Sequence, residues 1–291
     1  MNGKINTFRA FRSRNYTLFF TGQSISQIGT WVQSTGISWV VYTLTHSPFM
    51  LGLNVFATLF PRFLFSLPGG IIADRYNRYK ILLTTQTASM VQAALLATIT
   101  LTNRYTVWEL LTLSVVLGVI NAFDSPARQP LVHEMIVDKS DLTNAMALNS
   151  TTVNFATIAG PALAGIVLVK FGAGICFLLN AVSFIAVILC LLLMKLPAYI
   201  PSHEKMKISS ELAEGFKYLR ETPTISRVLM MVSLVSLLVL PYDTLLPVFA
   251  KVIFKGDAST FGYIRSFVGM GAIGGALFLA SLRPGSDLKM I

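Results

Sequence analysis

Residues 173–194 read AGICFLLNAVSFIAVILCLLLM, an uncharged run that is long enough to cross a bilayer as one helix. A membrane-spanning helix needs about 20 mostly apolar residues. Outward from this stretch, further runs of the same kind follow one another along the chain. The eight predicted spans are Tyr16–Leu44, Phe49–Ile72, Ile81–Thr102, Thr106–Phe123, Asn144–Val169, Ala173–Met194, Val228–Ala250 and Ser259–Leu282.

The composition of the 291 residues agrees with this pattern. Hydrophobic residues make up 54%, charged residues only 12%, and the mean hydropathy is +0.65, whereas a globular domain carries roughly 25% charged residues. Too little charge is present to cover a water-facing surface, which argues against a soluble domain, a disordered chain or a disulfide scaffold. The expected fold class is all-α, a polytopic membrane protein.

Enzyme chemistry finds no support in the sequence. There is no nucleophile elbow, phosphate loop or acid–base cluster, and His46, His133 and His203 are scattered. The two cysteines, Cys176 and Cys190, share one apolar run, where a small core side chain is the expected role. We therefore predict a protein that is not an enzyme and that holds neither a metal nor a cofactor.

The net charge of +10 is distributed unevenly. Of the 23 lysines and arginines, 17 fall in segments on the same side of the membrane as the N-terminus. Four fall in the loops on the other side, and Arg62 and Arg265 lie within spans. Basic residues concentrate on the cytoplasmic side of membrane proteins. This distribution predicts a cytoplasmic N-terminus, and it explains the basic balance without a nucleic-acid partner.

One long polar segment divides the chain. We expect a six-helix unit over 1–196, a cytoplasmic linker over 197–227 and two further helices over 228–291. Within the linker, Leu212, Phe216 and Leu219 recur at helical spacing behind the capping residue Ser210, which predicts an amphipathic helix at the membrane interface. A solvated linker helix is the alternative.

Several amides stand inside predicted spans, where they are costly unless they face partners or water. The amide residues predicted to line a polar cavity are Gln23, Gln27, Gln33, Asn121 and Asn154. Helix–helix packing is the alternative for such stripes, and it is the favoured interpretation for the small residues that accompany them, such as Gly29 and Ser150.

Three ionisable residues also lie within spans. At 1.5 Å per residue, Asp243 and Arg265 both lie about 10 Å from the same membrane surface, so we expect them to pair, as a gate or as a substrate contact. A purely structural pair, or an Arg265 that reaches the headgroups, is the alternative. Arg62, beside Pro61, is predicted to contact an anionic substrate. The alternative is that its side chain reaches the lipid headgroups.

The segment GIIADRYNRYK at 70–80 resembles the loop signature of the major facilitator superfamily, Gly-x-x-x-Asp-Arg-x-Gly followed by two basic residues. The resemblance implies a gate loop between the second and third helices. Gly70 would allow close helix approach, Asp74 would pair nearby, and Arg75 and Arg78 would anchor the loop. Asn77 replaces the usual Gly and is predicted to keep a left-handed bend.

Two later segments are similar to the exporter branch of that superfamily that handles enterobactin and macrolides. DSPARQ at 124–129 precedes NAMALNS at 144–150, with Pro126 predicted to end the fourth helix and with Asp124 and Arg128 grouped with the gate loop. The fifth span carries Gly160, Pro161 and Gly165 as in the antiporter motif of drug exporters.

The resemblance implies a secondary active transporter that works by alternating access and exports a siderophore, a macrolide or another drug-like compound. Protons are a candidate coupling ion, although Ser114 stands where many proton-coupled exporters carry Arg. Because the family fold has twelve helices, we expect a transporter truncated at its C-terminus. A non-transporting remnant or a membrane interaction partner is the alternative.

Overall fold

The computed structural model describes residues 8–196, 217–238 and 242–281, and within them all regular structure is helical. The helices are α1 (Arg14–Thr45), α2 (Pro48–Arg75), α3 (Arg78–Leu101), α4 (Val107–Met135), α5 (Leu142–Phe171), α6 (Ala173–Leu192), α7 (Pro223–Leu238), α8 (Tyr242–Val248) and α9 (Ala258–Ser281). Short 3-10 turns occupy Arg9–Arg12 and Lys139–Asp141, and a π-helical turn occupies Phe249–Ile253.

The helices bear out the predicted all-α polytopic class. In the part of the chain that the structure describes, the five helices α2 to α6 are long and apolar enough to cross a membrane. The predicted seventh span, Val228–Ala250, corresponds to α7, α8 and the start of the π-helical turn. Most of the predicted interface helix lies outside the described residues, whereas 217–221 are helical.

Helices α1 to α6 form one bundle. α1 packs against α5 and α6, α3 packs against α4 and α6, and α2 packs against α4. The helix α9 lies along α5, and α8 contacts α1 and α2. α1 therefore contacts most of the other helices of the bundle. This central position fits a helix that carries polar residues on several faces.

The two largest apolar clusters of the described residues lie one towards each end of the bundle. Tyr16, Phe19, Leu82 and Leu131 belong to the first cluster. The second includes Val41, Leu51, Leu96, Leu110 and Phe177. The two clusters take their residues from opposite halves of the same helices. The middle of the bundle holds polar residues, together with a small apolar cluster of Ala93, Ala181 and Phe184.

The fourth helix does not end at Pro126, as the sequence predicts, but continues to Met135. Proline has no N–H, so the carbonyl of Ala122 loses its partner within the helix. Gly69 of α2 packs directly against this carbonyl, where a Cβ would collide with it. The predicted close approach at Gly70 is wrong as well, because Gly70 faces open space.

We call the end of the bundle that holds the turns at 8–13, 76–77 and 136–141 the basic end. Hydrogen bonds hold these segments in place: the Ala10 backbone N–H donates to Asn144 Oδ1 of α5 at 3.1 Å, and the Val137 backbone N–H donates to the Ser13 hydroxyl at 3.1 Å. The α1–α2, α3–α4 and α5–α6 connections lie at the opposite end.

The predicted left-handed bend at Asn77 is wrong. Its φ is −62°, and its side chain caps α3 by accepting a hydrogen bond from the Lys80 backbone N–H at 3.2 Å. Asparagine is among the preferred N-cap residues, so here it starts the next helix without a positive φ.

Candidate functional site

Between the two apolar clusters lies a cavity of about 640 Å³, and most of the residues that line it are of polar or charged type. It is bounded by α1, α2, α3, α4, α5 and α6, with α8 and α9 on its remaining side. Seven of the eight cavity residues predicted from the sequence line it: Gln23, Gln27, Gln33, Arg62, Asn121, Asp243 and Arg265.

The eighth, Asn154, does not line the cavity. It is exposed, and its own backbone carbonyl accepts a hydrogen bond from the Thr157 hydroxyl. α5 instead presents Asn149 and Val153 to the cavity. One helical position corresponds to about 100° of rotation, so the stripe of Ser150 and Asn154 points elsewhere.

Asp124 and Arg128 lie in the cavity wall and not in the gate loop, where the sequence comparison grouped them. Asp124 is only 3% exposed and forms an ion pair with Arg128. It also accepts hydrogen bonds from the Thr85 hydroxyl at 2.8 Å and the Gln86 amide at 2.7 Å. A buried carboxylate requires such partners, so this charge is well satisfied.

The cavity holds three arginines and two aspartates. Arg128 pairs with Asp124, and the Gln23 carbonyl oxygen accepts from Arg128 Nη1 at 3.0 Å in the amide orientation that satisfies both groups. Arg62 donates to the neutral Ser125 hydroxyl at 3.0 Å. With Arg265 bound to Asp243, the lining has a surplus of one positive charge.

Arg265 connects three helices at the edge of the cavity. Its Nη2 donates to Asp243 Oδ2 at 2.9 Å, and its Nη1 donates to the Thr35 hydroxyl at 3.2 Å. The guanidinium also lies 5.2 Å from the ring centre of Trp31, in range of a cation–π interaction. The two residues that the sequence predicts to pair therefore do contact each other, and α1 completes the arrangement.

A chain of amides crosses the bundle beside the cavity. Asn180 donates to Gln33 at 2.9 Å, Gln33 donates to Gln92 at 3.1 Å, and Gln92 donates to the Leu113 carbonyl at 3.1 Å. Sequence reasoning missed Gln86, Gln92 and Asn180, although an amide within an apolar span is the same signal that identified Gln23. It also missed Ser114 as a wall residue, where its hydroxyl donates to Asn54 at 2.8 Å.

The gate loop lies at the basic end. Arg78 Nη2 lies 3.2 Å from Asp74 Oδ1, and Arg78 Nη1 lies 2.8 Å from Glu134 Oε1 at the end of α4. Arg75 is the exposed last residue of α2. The loop is therefore joined to α4 through Glu134, which the sequence did not single out, and not through Asp124 or Arg128.

The helix-five motif forms the crossing between α5 and α9. A Cβ on Gly165 would lie 2.9 Å from the Ala258 carbonyl oxygen, and one on Gly262 would lie 2.5 Å from the Pro161 carbonyl oxygen. The Ser266 hydroxyl adds a hydrogen bond of 2.8 Å to the Ile158 carbonyl. Gly160 faces the other way, against Trp31 of α1. The motif therefore positions both α9 and Trp31, the aromatic partner of Arg265.

Comparison with known sequences agrees with this geometry. Residues 5–289 match the family described as transmembrane secretion effector. The chain is 30% identical over 270 residues to the staphyloferrin A transporter of Staphylococcus aureus, covering 90% of this chain and 66% of that protein. It is 25% identical over 286 residues to the enterobactin exporter of Salmonella typhimurium, covering 97% and 67%. The chain thus spans about two thirds of the length of these relatives.

Among solved structures, a crystal structure of the POT family transporter PepTSo superposes with a TM-score of 0.53 at 15% identity. The match covers 89% of this chain and 55% of that chain. At this identity the likeness concerns the fold alone.

Proposed function

This chain belongs to the transmembrane secretion effector family of the major facilitator superfamily, and from that membership we propose that it acts in secondary active export of a small molecule across the cell membrane. The observation that carries the proposal is the polar cavity of about 640 Å³ within a bundle of apolar helices. Polar groups at such depth are costly unless they serve a partner or a solute. Substrate sites of secondary transporters lie in this position, between units that rock to give alternating access.

We propose a polar, anionic substrate of the siderophore class. The lining offers hydroxyls, amides and a surplus positive charge, and Arg62 has a neutral partner that an anion can replace or join. The names of the two siderophore-transporting relatives support the same class. Asp243 and Arg265 then act as a gate, since they tie α8 and α9 to α1 at the edge of the cavity.

We also propose the division into a six-helix half over 1–196, a linker over 197–227 and the start of a second half over 228–291. The basic end faces the cytoplasm in this proposal, because lysine and arginine favour that side. Protons are the proposed coupling ion, and the absence of an arginine at Ser114 means that coupling uses another site.

The test measures export of radiolabelled siderophores and macrolides from cells that lack their own exporters and express the full chain. We expect export of an anionic siderophore, its loss in Arg62→Ala and partial retention in Arg62→Lys. Arg104→Ala is the matched control, since Arg104 lies in the exposed α3–α4 connection. Export that is unchanged in Arg62→Ala would refute the substrate contact, and no export of any compound would count against the proposed transport.

A further inference from the structure

A second space, separate from the polar cavity, lies on the outer surface between α3 and α4. This groove measures about 670 Å³ and is lined by bulky apolar side chains and a few polar ones. Its lining residues include Leu83, Val91, Leu95, Leu113, Val116 and Ile120. Both helices are membrane-spanning candidates, so the groove opens towards lipid.

The polar groups of the groove are already bonded within the protein. The Thr84 hydroxyl donates to the Lys80 carbonyl at 2.9 Å, and the Thr87 hydroxyl donates to the Leu83 carbonyl at 2.8 Å. Gln92 is held by Gln33 and the Leu113 carbonyl. The groove therefore suits an apolar occupant, and a polar solute would find no free partner there.

The shape of the lining favours an acyl chain over a second transmembrane helix. Close packing of helices within membranes relies on small residues at the interface. Here the small residues are confined to one stretch of α3, at 84–88, and the α4 wall consists of Leu113, Val116 and Ile120. From Thr84 to Leu95 the groove follows α3 for about 17 Å at 1.5 Å per residue, which is a long, narrow path suited to a flexible chain.

A positively charged side chain, that of Lys80, lies just beyond the groove at the basic end of the bundle. Lys80 is exposed and shares the helix face of Leu83, Thr84, Thr87 and Val91, at spacings of three, four, seven and eleven residues. Among the described residues Lys80 forms no ion pair, whereas its neighbour Arg78 is neutralised by two carboxylates. Tyr76, 62% exposed nearby, is a residue type typical of the headgroup level.

We propose that the α3–α4 groove is a binding site for an anionic phospholipid, with one acyl chain in the groove and the phosphate beside Lys80. Charge complementarity distinguishes this lipid from a zwitterionic one, in which the headgroup carries its own cation. The site does not use the polar cavity, and of the loop segment 70–80 it uses only Tyr76 and Lys80, which take no part in the ion pairs of Arg78. It therefore goes beyond the transport proposed above.

The test uses the full chain in lipid nanodiscs that contain a trace of photoactivatable lipid with a diazirine in the acyl chain. Phosphatidylglycerol and phosphatidylcholine probes are compared at equal mole fraction, and adducts are mapped by mass spectrometry. We expect adducts at 83–95 and 113–120 to be enriched for phosphatidylglycerol by about fivefold, the factor that one basic residue contributes at an anionic surface. Lys80→Gln should abolish this enrichment.

Two controls locate the effect. Lys170→Gln removes a charge at the opposite end and should leave the enrichment unchanged. The exposed face of α6, with Val182 and Leu189, should give adducts that do not depend on the headgroup. Equal labelling of the groove by both probes, or enrichment that persists in Lys80→Gln, would overturn the proposal.

Discussion

Asp124 illustrates how the oxygens of one carboxyl group can find partners at the centre of a membrane bundle. Its two carboxylate oxygens accept from Thr85, Gln86 and Arg128, which come from α3 and α4. Arg128 is in turn held by Gln23 of α1. One carboxylate therefore fixes the relative position of three helices, and its loss affects both folding and the shape of the cavity.

Asp124→Asn should destabilise the protein, because Arg128 would lose its counter-charge. Breaking a fully buried pair costs about 3–5 kcal/mol; Arg128 keeps 25% side-chain exposure, so we expect about 2 kcal/mol. A thiol-reactive dye that labels the buried Cys176 on unfolding measures the change. Adding Arg128→Gln should recover part of the loss, whereas Asp138→Asn, which keeps an exposed oxygen to accept from the Ser140 N–H, should change stability far less. A double variant less stable than Asp124→Asn would contradict the coupling.

Charge exchange tests the pair at the cavity edge. Asp243→Arg and Arg265→Asp should each abolish export, because each leaves two like charges facing one another. The double exchange should restore part of the export and not all of it, since an arginine at 243 would not reproduce the contacts of Arg265 with Trp31 and Thr35. Losses that simply add in the double variant would show that the residues act separately.

The residues of the site were partly predictable, because a polar side chain within an apolar span can be recognised from the sequence alone as costly to desolvate. Gln23, Gln33 and Arg62 stand out as polar groups in apolar runs. The partners of these residues depend on which helices meet. For this reason the sequence did not predict the pairing of Glu134 with Arg78, and it placed Asp124 in the gate loop and not in the cavity wall. Asn154 failed for a different reason, since one step of helical rotation separates the cavity face from its neighbour.

At the scale of elements, the α5–α9 crossing depends on the absence of side chains. The backbone of each helix lies where a Cβ of the other would be, at Gly165 and Gly262. Close crossings of this kind replace the hydrophobic effect, which is weak between helices already in lipid. The crossing therefore sets how firmly α9 is held against the six-helix bundle.

Gly262→Ala should destabilise this crossing, because the new methyl group would lie 2.5 Å from the Pro161 carbonyl oxygen and both neighbours are backbone. The matched control is Gly52→Ala on α2, where no atom lies within 4 Å. There the higher helix propensity of alanine should stabilise the protein by about 0.5–1 kcal/mol. Thermal unfolding in detergent gives both values; effects of the same sign would contradict the packing argument.

The ends of the helices were harder to predict than their existence. Long apolar runs dictate that α2 to α6 form, since the backbone must satisfy itself in lipid. α4 continues past Pro126 to Met135, and the Ala122 carbonyl that Pro126 leaves without a helical partner lies against Gly69 of α2. A local signal such as proline cannot anticipate a contact supplied by another helix.

At the scale of the whole molecule, polarity is layered along the bundle. An apolar cluster lies towards each end, and the cavity with its charges and amides lies between them. Solutes can pass only if one cluster opens while the other stays closed, which is the physical content of alternating access. In the proposed orientation, the cluster at the basic end lies towards the cytoplasm and the other cluster lies towards the outside.

Orientation is tested with single cysteines at the two ends. Arg104→Cys lies in the exposed α3–α4 connection, and Val137→Cys lies at the basic end, where Val137 is 86% exposed. We expect an impermeant thiol reagent added to intact cells to label position 104 and to reach position 137 only after permeabilisation. The unaltered chain, with Cys176 buried, is the background control, and the reverse pattern would invert the topology.

α1 has 32 residues, yet it is not among the five helices that are apolar enough to span by composition. The glutamines that give the cavity its wall lower the affinity of this helix for lipid. A segment of this kind partitions poorly from the translocon when it is alone. During biosynthesis α1 should therefore stay beside the insertion machinery until α3, α4 and α6 emerge and provide partners for Gln23 and Gln33, so that the first segment translated is among the last to take its final position.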